Sequence, residues 1–192
     1  VMDEPYPIFR LKTDSPELIE QLGSKPKFWF YWGADDQPWL FKFAREGTGE
    51  HWAEKIAAEI AVKIELPAAR VELAEFTGKR GLASRSFVRR KEGFDLVHGD
   101  ELHGGHVIGY DRTKVFLQSS HSISNIVQAI SAVFPEAGAR EVQLTRFAGL
   151  MVLDALIGNT DRHHQNWGIL RRVRPAGSVE HVRKAVDDAG KA

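Results

Sequence analysis

The chain has 192 residues, 43% hydrophobic and 27% charged, a balance that supports one globular domain or two lobes rather than a disordered segment. Lys plus Arg and Asp plus Glu each total 26, so the net charge is +0 and the basic excess of a dedicated nucleic-acid binder is missing. Cysteine is absent, which excludes a disulfide framework and any thiolate metal site. No apolar run is long enough to cross a bilayer and no signal-like pattern stands at the start, so a cytoplasmic protein without nucleic-acid or membrane partners is expected. The opening Val1-Met2 leads us to expect a fragment of a longer protein.

In chain order, the aromatic runs 28–32 and 39–43 flank Gly33-Ala34-Asp35-Asp36-Gln37-Pro38 and predict a β-hairpin. Alternation places Trp39, Phe41 and Phe43 on one side and Leu40, Lys42 and Ala44 on the other. Lys42 is thus a lone charge in an apolar strand, which either snorkels outward or has a dedicated anionic partner. Apolar positions Ala53, Ile56, Ala57, Ile60, Ala61 and Ile64 predict a helix with one buried stripe, closed by Leu66-Pro67. Glu54 lies at the edge of that stripe and is the expected partner of Lys42. Glu59 is expected to point away, and Glu50 falls in the first turn, where the helix dipole accounts for it.

Residues 69–76 and 82–89 read as two further strands across the turn 77–81. A first lobe is expected over 1–90, a small antiparallel sheet plus a helix, and a mainly helical, partial second lobe over 91–192. Residues 97–109, rich in Gly and His, read as a loop, with His98, His103 and His106 given no role. Ile123, Ile126, Val127, Ile130 and Val133 predict an amphipathic helix capped by Ser119 or Ser120. Residues 147–157 predict a buried helix that runs directly into Asn159-Thr160-Asp161-Arg162-His163-His164-Gln165-Asn166.

That stretch contains D-x-x-x-x-N, the spacing of a kinase catalytic loop, with Asp161 to take the proton of the accepting hydroxyl and Asn166 to hold Mg²⁺. Gly158-Asn159-Thr160-Asp161 also satisfies a helix-terminating turn. Residues 167–173 and 179–184 predict a hairpin around Pro175-Ala176-Gly177, after which Asp187 offers a second acidic metal ligand.

Over most of its length the chain resembles the HipA-like serine/threonine kinases. The resemblance implies a two-lobed α+β kinase-like fold, with Asp161 as base and Asn166 and Asp187 as magnesium ligands. It implies that Lys42 anchors ATP and that Glu54 is its ion-pair partner. Gly23-Ser24-Lys25-Pro26-Lys27 is similar to the family's phosphate loop, so Gly23, Ser24, Lys25 and Lys27 are expected at the nucleotide, with Phe87 in a hinge that meets adenine through backbone atoms. The amino-terminal subdomain of HipA toxins and the last helices of the second lobe are expected to be absent, so no toxin role or antitoxin partner is implied. A protein substrate is expected. Ser24 is a candidate autophosphorylation site, because about −1.5 to −2 added charges there would oppose ATP. Two rival readings are a nucleotide-binding regulatory module without transfer and a metal-dependent hydrolase built on His163, His164 and Asp161.

Overall fold

The computed structural model describes residues 6–12, 18–20 (backbone only), 26–114 and 118–172. Gly23, Ser24, Lys25 and Asp187 lie outside the described residues, as does 179–184. The architecture is α+β. A six-stranded sheet is assembled from β1 (Phe9–Arg10), β2 (Leu18–Glu20), β3 (Lys27–Tyr31), β4 (Pro38–Phe43), β5 (Val71–Phe76) and β6 (Lys79–Arg85), in the order β1-β5-β6-β4-β3-β2. Only the β1–β5 pair among these is parallel.

The predicted aromatic hairpin forms, and it supplies the core. Phe28 pairs with Phe41 and Phe30 with Trp39, and all four rings are buried together with Ala74 and Ala83. Burying each such ring contributes about 1.5–3 kcal/mol. The turn between the strands is fixed by Asp35, which accepts hydrogen bonds from the Gln37 amide, the Trp39 indole and, in a fork, the Arg85 guanidinium. The Arg85 bonds first, then the Gln37 amide, hold the Asp35 carboxyl well below the usual carboxylate range.

Helix α1 (Glu50–Lys63) follows, but its buried face is not the predicted stripe. Lys55 and Ala61 are its buried residues, whereas Ala53, Ile56 and Ile64 are exposed. The cause is Lys55, whose amine donates to the Val71 carbonyl at 2.7 Å and meets Glu59 at 2.7 Å and Glu72 at 3.2 Å, tying the helix to β5. Glu59 therefore turns toward the helix's lysine rather than away.

Two more expectations are corrected here. The region read as a Gly- and His-rich loop is the end of β7 (Phe94–His98) and the helix α2 (Gly99–His106), whose start is secured by the Glu101 carboxylate accepting the His98 amide. Helix α3 (Ile123–Val133) is capped by Ser122, which accepts the Asn125 amide, rather than by Ser119 or Ser120. Helix α4 (Ala137–Ile157) carries the predicted apolar run, yet buries one face only: Phe147, Leu153 and Asp154 are buried while Val152 and Leu156 are exposed. Strand β8 (Gly168–Arg172) pairs antiparallel with β7, and the second arm of the predicted carboxy-terminal hairpin, 179–184, lies outside the described residues.

By internal packing the chain divides into two units, Val1–Phe87 with Ile130–Arg162, and Val88–Ala129 with His163–Ala192. The first holds the six-stranded sheet, α1 and α4. The second holds β7, α2 and β8. Among the described residues no helix is long and apolar enough to cross a membrane.

Candidate active site

In the first unit, strand alternation turns Phe41 into the core and Lys42 away from it, toward α1. The Lys42 amine lies 2.5 Å from the Glu54 carboxylate, with side-chain exposures of 29% and 41%. The register sets Lys27 directly opposite Lys42, so two amines rise from one face of the hairpin. Like charges so placed repel unless an anion lies near, and Glu54 supplies one. Lys55 behaves differently. Burial lowers its affinity for the proton, but its bonds to Glu59 and Glu72 outweigh that and hold the amine charged.

At the other end of the first unit, α4 stops at Gly158, whose φ of 67° is left-handed and suits glycine. Asn159 donates its backbone N–H to the Asp154 carbonyl at 2.8 Å and its side-chain amide to Asp154 Oδ1 at 2.7 Å. Arg162 forks onto the same carboxylate, Nε to Oδ2 at 2.7 Å and a terminal nitrogen to Oδ1 at 2.8 Å. Asp161 sits exposed between these two residues, its backbone N–H donated to Asn159 Oδ1 at 3.1 Å. Burial pushes the Asp154 carboxyl up, but the Arg162 and Asn159 hydrogen bonds more than offset it, so the group stays ionised.

In the second unit the chain from His163 to Trp167 makes a tight turn, the Asn166 amide bonded to the His163 carbonyl at 2.9 Å. His164 is fully buried with its Nδ1 hydrogen-bonded to the Tyr110 hydroxyl, and Asn166 is exposed. The Trp167 indole donates to His121 Nε2 at 3.2 Å, and His103 stacks on Tyr110 with centroids 4.8 Å apart. Gly99 permits this packing, since a Cβ there would come within 2.3 Å of the Trp167 ring and 2.6 Å of the His164 carbonyl. Desolvation, then the neighbouring imidazoles of His103, His164 and His163, push His121 down to about 4. His103 is lowered too, chiefly by burial, and burial raises Tyr110 to about 12. His103, His121 and Tyr110 are thus neutral packing partners at neutral pH. Among the described residues no group of three or more His, Cys, Asp or Glu is arranged to hold a metal ion, so the hydrolase reading finds no ligand set there.

The HipA-like C-terminal domain family matches residues 21–181, most of the chain. The chain belongs to this family. No curated protein matches it. Among solved structures, the HipA-like chain is similar to the crystal structure of a Helicobacter pylori proinflammatory kinase, CtkA, at 21% identity and a TM-score of 0.61, over 79% of this chain and 50% of that one. The fold is therefore kinase-like, and the chain spans about half the length of that kinase.

Against this HipA-like fold, Lys42 and Glu54 are brought together, and Lys27 stands beside them by register. Phe87 is 54% exposed at the end of the first unit's opening segment, next to Ser86, whose amide is bonded to the Pro38 carbonyl. Packing divides the D-x-x-x-x-N stretch between Arg162 and His163, leaving Asp161 in one unit and Asn166 in the other. Sequence reasoning missed Asp154, Arg162, Tyr110, His103 and His121. For Asp154 the signal was present: it is the lone charge in the apolar run 147–157, the same sign that singled out Lys42.

Proposed function

We propose that this HipA-like domain is an ATP- and magnesium-dependent phosphotransferase acting on a serine or threonine hydroxyl, with a protein as the favoured substrate class, in the cytoplasm. The observation that carries the reading is the Lys42–Glu54 pair: a lysine on an apolar strand, aimed by a helix carboxylate, with a second amine opposite it, suits anchoring phosphates. Lys42, with Lys27, would hold the α- and β-phosphates, and Glu54 would keep the Lys42 amine in place. Gly23, Ser24 and Lys25 would complete the phosphate contacts, and the backbone about Phe87 would meet the adenine. Asp161 would accept the proton of the attacking hydroxyl as the bond to the γ-phosphorus forms and the bond to ADP breaks.

Asn166 and Asp187 would hold magnesium. Their oxygens are the hard donors that ion takes, and it is commonly held by one or two protein groups plus substrate phosphates, so no larger cluster is required. When bound, the ion would neutralise phosphate charge. Everything else falls to positioning by the chain's own groups.

Incubation of the purified chain with γ-labelled ATP and magnesium tests the proposal. Label should pass to a serine or threonine in the wild type and not in Asp161→Asn. ATP binding without any transfer would replace the proposal with the regulatory-module reading.

A further inference from the structure

The carboxylate of Asp154 gathers three side-chain hydrogen bonds from residues on either side of Asp161, one from Asn159 and two from Arg162. Its side chain is 8% exposed, so the charge is withdrawn from water and depends on those donors. Asn159 is bifunctional. Its amide nitrogen is fixed to Asp154 on α4 while its amide oxygen receives the Asp161 backbone N–H. A continuous path of bonds therefore runs from the last turns of α4 to the backbone of Asp161, and the Arg162 fork fixes the following residue to the same anchor.

We propose that Asp154 is a positioning residue that fixes the loop bearing Asp161, acting through Asn159 and Arg162 and never touching substrate. The inference deepens the phosphotransferase reading and, for its effect on turnover, rests on it. An ionised carboxylate is required for geometric reasons. In Asp154→Asn the remaining oxygen can serve only one side of the fork, and the new NH₂ meets an Arg162 or Asn159 donor head-on.

The test compares wild type with Asp154→Asn and Asn159→Ala in two measurements. Steady-state phosphoryl transfer gives kcat and the KM for ATP, and amide hydrogen exchange without nucleotide reads residues 158–163. Both variants should lose 10- to 100-fold in kcat, the order expected for misplacing a reacting group by about an ångström, with KM for ATP within about twofold. Exchange should quicken over 158–163 and not over the first turns of α4. Unchanged kcat in an active enzyme overturns the positioning role, as does a loss expressed in KM alone. If the wild type transfers no phosphate, the phosphotransferase reading fails by itself, and exchange then decides: an unaltered loop in both variants overturns the anchor. Should Asp154→Asn not fold, Asn159→Ala carries both measurements, since Asn159 is only half-buried.

Discussion

Replacing Lys42 by Met removes the charge while keeping the length and apolar character of the stem. Both members of the Lys42–Glu54 pair are substantially solvated, at 29% and 41% exposure, so the pair contributes about 0–1 kcal/mol to stability despite its 2.5 Å separation. For a chain of this size that is a fall in Tm of no more than about 4 °C. If Lys42 holds a nucleotide phosphate, the loss on binding is that of a hydrogen bond to a charged group, about 1.5–3 kcal/mol. That corresponds to an affinity for ATP reduced roughly 10- to 150-fold. Glu54→Gln keeps an acceptor and loses only the charge, so it should fall between wild type and Lys42→Met. The two scales separate cleanly, and thermal melts with calorimetric ATP titration on the same preparations read both. A Lys42→Met variant that binds ATP like the wild type but melts more than about 8 °C lower would show that the pair serves the fold, and the phosphate assignment would be wrong.

Asp161→Asn should bind ATP within about twofold of wild type and lose transfer by about a hundredfold or more, because only the proton acceptor changes; equal turnover of the two at saturating ATP removes Asp161 from the mechanism. Asn166→Ala should require roughly tenfold more magnesium for half-maximal rate, read from a magnesium titration at fixed ATP, and an unshifted curve would exclude Asn166 as a ligand. Lys55→Met should destabilise by roughly 2–4 kcal/mol in urea unfolding, because it removes the buried amine's bonds to Val71 and Glu59 and leaves the largely buried Glu72 carboxylate to the more exposed Arg70. Stability should also fall in acid. His121 titrates near 4 when folded and near 6.5 when unfolded, so only the unfolded chain gains the proton, and stability present above about pH 6.5 is lost as pH drops toward 4. The full shift is worth about 3 kcal/mol at most, and His121→Gln should flatten the fall in denaturant midpoint over that window.

The parts of this protein that were legible in its sequence are those fixed by period and by local turn chemistry. The alternation of 39–43 placed Phe41 inside and Lys42 outside, and the stripe-edge argument chose Glu54 among the acids of α1. The same argument misjudges the helix, because it places the buried face by apolar positions alone. Lys55 enters it, since Val71, Glu59 and Glu72 together compensate the buried charge, and these partners come from two elements that no local window joins. The histidines failed for the same reason. His103 lies in a segment with the composition of a loop, and only the fold sets it beside Tyr110, His121 and Trp167, where it is fully buried.

Comparison of Lys42 with Lys55 shows why only one of these two amines is suited to a ligand. An ammonium group has three N–H bonds to place. Lys55 places them on Val71, Glu59 and Glu72 with its side chain 8% exposed, so a further anion would have to displace a partner and pay for dehydration. Lys42 has Glu54 and is 29% exposed, which leaves a solvated side of the amine where a phosphate oxygen can replace water with little rearrangement. Glu54 then has a role distinct from neutralisation: at 41% exposure it contributes little to folding, but it restricts a flexible four-carbon stem to one direction before any ligand arrives. The closely matched acids around Lys55 make a strut, and the more exposed Glu54 beside Lys42 makes a pointer.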